Sequence, residues 1–245
     1  MRDEVSANPG AERDPYTERP KLGELFATLA WFRALAPDHQ NLVLTTSRAE
    51  YFEPGALVAR CNAPSEHWIG VHSGLVKLAI HGATGRSVTL SGVPPGGWFG
   101  EGSVIKRELR KYDVSTLQRS LVLLVSADTF HALLAGSLPF NGFVINQLNN
   151  RMGEFIATIQ NSRLLDINAR VARALAQMLN PDLYPNSSLS LTISQQELGL
   201  LAGISRQKVN NALQQLEQLK LVRISYNQID VLDLERLGSY GLEQL

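Results

Sequence analysis

The 245-residue chain is short of cysteine, of net charge and of long apolar runs, and each shortage removes a class of protein. One cysteine, Cys61, excludes an intramolecular disulfide and any Cys-rich zinc site or four-thiolate cluster held within one chain. A reducing compartment fits that count. The longest aliphatic run, Leu121 to Val125, is far too short to cross a bilayer. The first twenty residues mix both signs of charge and contain no apolar stretch, so they read as neither signal peptide nor anchor. A cytoplasmic protein without a membrane partner is expected. Lys and Arg total 23 and Asp and Glu 23, a net charge of +0. Taken alone, that balance argues against a general polyanion binder, whose non-specific affinity for nucleic acid comes from surplus cations.

What is present divides the chain into four parts. Residues 1–20, with Pro9, Gly10, Pro15 and Pro20, read as a flexible tail. Between residues 21 and 47 two short helices are predicted: Leu22, Leu25, Phe26 and Leu29 recur at helical spacing, and Pro37 suits the first turn of the second. From about residue 49 to 125 the signal becomes that of strands. Trp68 to Val71, Val76 to Ile80, Val88 to Leu90 and Leu121 to Val125 alternate with turn chemistry at 53–55, 73–74, 81–85 and 94–97. Short strands at that spacing indicate a β-sandwich or barrel. After Pro139, Ile145, Leu148, Met152, Phe155 and Ile159 step by three and four, an apolar seam along one long helix. Such a helix can lie on the β domain or pair with its twin in a homodimer. Asn146, Asn149, Asn150 and Arg151 leave no second apolar face, which favours the homodimer. A further helix is predicted from 168 to about 179.

The last segment carries the most specific pattern. Ser194 followed by Glu197 forms a capping box, Leu198 and Leu201 continue a short helix, and Gly203 supplies a left-handed turn. Ser205 can cap a second helix running from Arg206 to about Leu219. Helix, tight glycine turn and helix make the helix-turn-helix plan. Projected at about 100° per residue, Val209, Ala212, Leu213 and Leu216 share one face, and Gln207, Asn210, Asn211 and Gln214 the opposite one. Amide and guanidinium groups suit base edges, since Arg can make two hydrogen bonds to guanine and Asn or Gln two to adenine. Ser205, Arg206, Gln207, Asn210, Asn211 and Gln214 are therefore the candidate DNA-binding residues. Leu221 to Ser225 and Ile229 to Val231 read as a hairpin around Tyr226 and Asn227, a wing positioned for adjacent phosphate. Between residues 189 and 225, Arg206, Lys208, Lys220 and Arg223 outnumber Glu197 and Glu217. Neutrality is thus a property of the whole chain, and the modest local surplus predicts shallow salt dependence and reliance on base contacts.

Residues 21 to about 240 resemble the CRP/FNR family of bacterial transcription regulators. Three stretches carry the resemblance: Pro95-Gly96-Gly97-Trp98-Phe99-Gly100-Glu101, similar to the family's phosphate-binding cassette; Leu165 to Ala172, similar to its hinge; and the helix-turn-helix with Ile204-Ser205-Arg206-Gln207. The resemblance implies an α+β chain with an N-terminal double-stranded β-helix (jelly roll) effector domain of cyclic-nucleotide-binding type at 21–138. A long dimerisation helix at 139–165 and a C-terminal winged helix-turn-helix at 166–245 follow, with Asp166 as hinge. It further implies a homodimer on a two-fold symmetric operator in double-stranded DNA, with RNA polymerase as partner. Arg206 matches a base-reading arginine, whereas Gln207 and Asn211 stand where cyclic-AMP-binding members have glutamate and arginine, so a different operator is expected.

The same resemblance makes Gly100, Glu101, Arg110, Lys111, Tyr112 and Phe155 the effector-binding candidates. Gly100 and Glu101 match a backbone phosphate contact and a carboxylate for ribose. Arg110-Lys111-Tyr112 replaces the family's Arg-Ser/Thr-Ala and is reached by a cassette one residue shorter; Tyr112 is bulky enough to take ligand space. Phe155 and Ile156 align with positions that meet adenine through hydroxyls and offer no hydrogen bond. A small anionic effector other than cyclic AMP, held by Lys106, Arg107, Arg110 and Lys111, is the expectation. A cyclic nucleotide response, or a solvated loop with no effector, are its alternatives. Cluster sensing would need cysteines before Cys61, and haem an axial ligand such as His72, His81 or His131. A cupin-like metal-dependent enzyme is the distant catalytic alternative; it needs a His-x-His pair, whereas His67 and His72 are five apart. No metal site and no catalytic residue is assigned.

Overall fold

The computed structural model describes residues 21–82, 85 and 87–242; the expected tail, 1–20, lies outside them. Among the described residues, no helix is long and apolar enough to cross a membrane. The first apolar run forms α1 (Leu22–Ala27) and α2 (Ala30–Arg33), and α3 (Pro37–Thr46) opens with Pro37 in its first turn. Three helices thus stand where two were expected. Thr28 Oγ1 donates to Leu25 O at 2.7 Å and Leu29 turns extended, which ends α1 inside an unbroken apolar period.

The strands are β1 (Arg48–Phe52), β2 (Leu57–Ala59), β3 (His67–Ser73), β4 (Val76–His81), β5 (Ser87–Val93), β6 (Trp98–Phe99), β7 (Asp113–Thr116) and β8 (Ser120–Ser126), with α4 (Glu101–Lys106) after β6. They make two four-stranded antiparallel sheets, in the orders β1-β8-β3-β6 and β2-β7-β4-β5. The apolar stretches of the sequence became β3, β4, β5 and β8. Of the four further strands, β2 and β6 are apolar but only three and two residues long, and β1 and β7 carry polar residues such as Arg48, Glu50, Asp113 and Ser115.

The β1-β8-β3-β6 sheet carries apolar residues on both of its faces. Ile69, Val71, Val76, Leu78, Val93, Phe99, Val114, Val122 and Leu124 fill the roll. On the other side, Trp31, Trp68, Trp98, Phe26, Phe130 and Phe140 pack with the N-terminal helices, α5 (Ala127–Gly136) and α6 (Leu138–Leu164). The three tryptophans touch one another, with the Trp68 and Trp98 rings 4.0 Å apart and Trp31 5.2 Å from each. Such pairs add about 0.5–1.5 kcal/mol each beyond their buried area, so this cluster ties α2 and α6 to the roll.

Helix α6 is 27 residues long, roughly 40 Å at 1.5 Å per residue. Ile145, Leu148, Met152, Phe155 and Ile159 all stand exposed on it, with Ile145 63% exposed. The helix ends at Leu165, and Asp166 caps α7 (Ile167–Gln177), its carboxylate accepting from Ala169 N at 2.8 Å. Beyond lie β9 (Ser190–Thr192), α8 (Gln195–Ala202), α9 (Arg206–Gln218), β10 (Val222–Ser225), β11 (Gln228–Val231) and α10 (Leu234–Ser239). A three-stranded sheet, β10-β11-β9, flanks the two central helices. Val171, Leu175, Leu198, Val209, Leu213, Leu216, Ile229 and Leu237 form the core of this module. It docks on the roll: Lys77 Nζ on β4 meets both carboxylate oxygens of Glu197 at 3.0 Å, and Gly92 on β5 lies under Met178 and Leu201.

Candidate nucleic-acid interface and sensor cavity

Helix α8 begins as the capping box predicts, with Ser194 Oγ accepting from Glu197 N at 3.1 Å. The reciprocal half differs, because the Glu197 carboxylate is engaged by Lys77. Gly203 ends the helix in the left-handed conformation, φ 66°. Arg170, on α7, donates from Nη2 to Ala202 O at 2.6 Å and to Gly203 O at 3.2 Å, placing a cation on carbonyls at the end of α8. Ser205 occupies the N-cap of α9 but its side chain makes no capping bond, which corrects that part of the expectation. Its backbone dihedrals alone start the helix, and its hydroxyl stays at the surface.

On α9, Val209, Ala212, Leu213 and Leu216 are buried, as the projection requires. Arg206, Gln207, Asn211 and Gln214 are exposed together with Ser205 and Lys208. Asn210 is only half-exposed, and its Oδ1 accepts from Gln195 Nε2 at 3.2 Å, so it is partly engaged in holding the two helices together. The wing is a two-residue hairpin: Ser225 pairs with Gln228, Asn227 is left-handed at φ 53°, and Tyr226 is fully turned to solvent. Ser194, Gln195, Gln196, Arg206, Tyr226 and Gln228 border one cleft of about 370 Å³ between helix start and wing. Gln195, Gln196 and Gln228 were missed by the sequence reading. Their signal was available: a polar first turn of α8 and a polar strand end beside a predicted wing.

Inside the roll, the cassette forms β6 and the start of α4. Gly100 has φ 91°, and a Cβ there would stand 2.8 Å from Arg110 Nη1, so the glycine both permits the left-handed turn and makes room for the guanidinium. Glu101, Arg110 and Arg151 are 4, 3 and 8% exposed. Arg151, from α6, places Nε 3.4 Å from Glu101 Oε1 and donates from Nη2 to Trp98 O at 2.7 Å. Arg110 Nη2 donates to His67 O at 3.0 Å. Burial opposes the Arg151 charge, but Tyr184, Glu101, Glu154 and Tyr112 around it outweigh burial and hold its pKa above the usual arginine value. Burial lowers that of Arg110 and raises those of Tyr112 and Tyr184. It also pushes Glu154 up to about 7, against the opposing pull of Arg151 and of the Tyr184 hydroxyl.

The structure gathers only some of the predicted effector residues. Gly100, Glu101, Arg110 and Tyr112 converge. Lys111 does not: it stands at a bend before β7, exposed, with its Nζ 3.3 Å from the half-buried Glu108. Lys106 and Arg107 are likewise exposed, Arg107 meeting Asp128 at 3.5 Å. Phe155 borders a small gap with Leu90, Ser91 and Thr158, away from Arg110 and at the margin between roll and DNA-side module. Arg151 was counted as a polar spacer in the seam and is a buried interior cation. Only the fold, which presses that face of α6 on the roll, reveals it. His131 is bound to Val104 O at 2.9 Å, and no group of three metal-ligating side chains occurs among the described residues.

A β-roll joined through one long helix to a winged helix-turn-helix is the architecture of a transcription regulator with a sensor domain. Residues 49–137 match the family model of the cyclic nucleotide-binding domain, and residues 169–240 that of the Crp-like helix-turn-helix domain. The chain belongs to the CRP/FNR family of transcription regulators, which are not enzymes. It is 22% identical over 220 residues, 89% of this chain and 98% of the other, to the CRP-like cAMP-activated global transcriptional regulator of Mycobacterium tuberculosis. Among solved structures it is similar to FixK2 of Bradyrhizobium japonicum, with a TM-score of 0.65 at 16% identity over 78% of this chain and 95% of that one. It is also similar to the c-di-GMP responsive regulator CLP of Xanthomonas campestris, with a TM-score of 0.58 at 21% identity over 80% and 99%.

Proposed function

We propose that the protein acts in the cytoplasm as a homodimer that binds a two-fold symmetric operator through α9 and answers to an effector other than cyclic AMP. The observation that carries the DNA reading is the exposed row Arg206, Gln207, Asn211 and Gln214, presented by a helix whose opposite face is fully buried. The exposed seam of α6 supports the homodimer: Ile145, Leu148, Met152 and Ile159 form a continuous apolar line that a second copy of the same helix covers. Pairing there sets the two α9 helices about one DNA turn apart, and changes around Asp166 tune that spacing. RNA polymerase is the partner expected of such a regulator.

Two relatives are named for effectors that differ, cyclic AMP for the Mycobacterium tuberculosis protein and c-di-GMP for the Xanthomonas campestris one, so relatedness does not choose between them. Tyr112 argues against cyclic AMP, because it packs against the roll core beside Arg110, where the family resemblance leads one to expect a small alanine. Selection of sites from random duplex DNA is expected to return a palindrome with guanine opposite Arg206 in each half. Arg206→Ala is expected to cost about 1–3 kcal/mol per half-site and to relax that position. An asymmetric consensus, or undiminished binding by the variant, sinks the reading.

A further inference from the structure

Tyr184 lies between α7 and β9, hence on the DNA-binding module, yet it packs inside the roll. It is 1% exposed and Leu183 is fully buried, both in one core with Ile69, Val71, Val93, Phe99 and Val122. Connecting segments run over protein surfaces as a rule, so two core residues on one need a reason. The cassette is cut to receive them. A Cβ at Gly97 would come 2.9 and 3.0 Å from Tyr184 Cδ1 and Cε1, and one at Gly96 would come 2.9 Å from Asn186 N and 3.1 Å from Pro185. The Tyr184 hydroxyl donates to Glu154 Oε2 at 3.4 Å, lies 3.5 Å from Ser91 Oγ, and sits beside Arg151, which holds Glu101. A phenol meets apolar walls around its ring and a carboxyl and a guanidinium at its hydroxyl, as a bound ligand would.

We propose that Tyr184 is a tethered internal ligand of the roll, filling space that an external effector would have to enter, so that effector entry and docking of the DNA-binding module exclude each other. This rests on the reading of the chain as an effector-responsive regulator and gives that reading its switch. The docking surface is continuous with the plug: Lys77 and Glu197, Gly92 under Met178 and Leu201, and Gln177 Nε2 donating to Thr158 Oγ1 at 3.1 Å all lie on the same margin. A molecule that takes the place of the ring therefore binds the undocked state only, which is the differential affinity a population shift requires.

The test uses the full-length protein, hydrogen exchange and p-cresol, the free tyrosine side chain. In Tyr184→Ala, amides of β5 and α8 are expected to exchange about tenfold faster than in wild type. Millimolar p-cresol is expected to bind this variant saturably, to leave wild type unbound, and to restore the protection, as small aromatics occupy engineered apolar cavities. Unchanged exchange in the variant, or faster exchange that p-cresol leaves in place, overturns the proposal. Should Tyr184→Ala not fold, Tyr184→Phe carries the test: removing the hydroxyl raises exchange in β5 and α8 severalfold while β1 stays as it is, and no rise overturns the proposal. None of these readouts uses DNA. Loss of the operator reading would therefore show in the DNA selection alone, and loss of the plug in exchange alone.

Discussion

On α9, Arg206, Gln207, Asn211 and Gln214 stand in water on one face of a helix. In the roll, Glu101, Arg110 and Arg151 have been taken out of water; Glu101 and Arg151 face one another from α4 and α6, and Arg110, from the segment before β7, donates to His67 O. The first site is made by local sequence, since a helix period and its cap suffice to present it. The second is made by convergence across 50 residues of chain. An exposed polar side chain costs the fold almost nothing and is available to a partner. A buried ion pair is expensive to desolvate, holds its place only through its neighbours, and leaves a large penalty when one member is removed.

That contrast predicts very different costs. Arg151→Leu strands the Glu101 carboxylate and is expected to lower unfolding free energy by about 3–5 kcal/mol, with much of it regained in the Arg151→Leu, Glu101→Leu double variant. Arg206→Ala is expected to stay within about 0.5 kcal/mol of wild type in the same urea titration. Equal losses at both sites would break the comparison. The next effect is a pH dependence of docking. Glu154 rises to about 7 when buried beside Arg151 and Tyr184, above the ordinary carboxylate value near 4.5. The docked state thus favours the protonated carboxyl: docking is strongest below about 4.5 and weakens as pH rises through 7. From pH 6 to 8 the exchange of β5 is expected to quicken about tenfold more than intrinsic chemistry dictates, and Glu154→Gln to abolish the excess. A flat profile in wild type would remove Glu154 from the docking contact. The smallest effect tests a local feature: Ser194→Ala is expected to cost about 1 kcal/mol, the value of an N-cap, with no change in effector-cavity behaviour.

How much was legible in the sequence follows from the same contrast. The Ser194 cap, the Gly203 turn, the buried face of α9 and the Tyr226–Asn227 hairpin are all set by residues within one or two turns of chain, and each was readable. The seam of α6 was readable as a period, but Arg151 was not separable from the polar residues around it, because a helix facing two surfaces carries two meanings on one wheel. The strands β1, β2, β6 and β7 are too short or too polar to show an apolar run, and their place is secured by ladders to β8, β7, β3 and β4 respectively. Lys111 looked equivalent to Arg110 in composition and is exposed where Arg110 is buried. Tyr184 had no local pattern at all, because its environment comes from Gly97, Ser91 and Glu154, each remote in sequence.

The tryptophan cluster has a use beyond cohesion. The chain holds three tryptophans, and all three lie within one set of ring contacts. Trp98 adjoins Gly97, against which Tyr184 packs, and its carbonyl receives Arg151. Light at the long-wavelength edge of the aromatic band, which tyrosine scarcely absorbs, therefore excites this protein at one place, next to the plug. The molecule carries its own optical gauge, and emission colour and lifetime can follow the interior of the roll in the unlabelled chain.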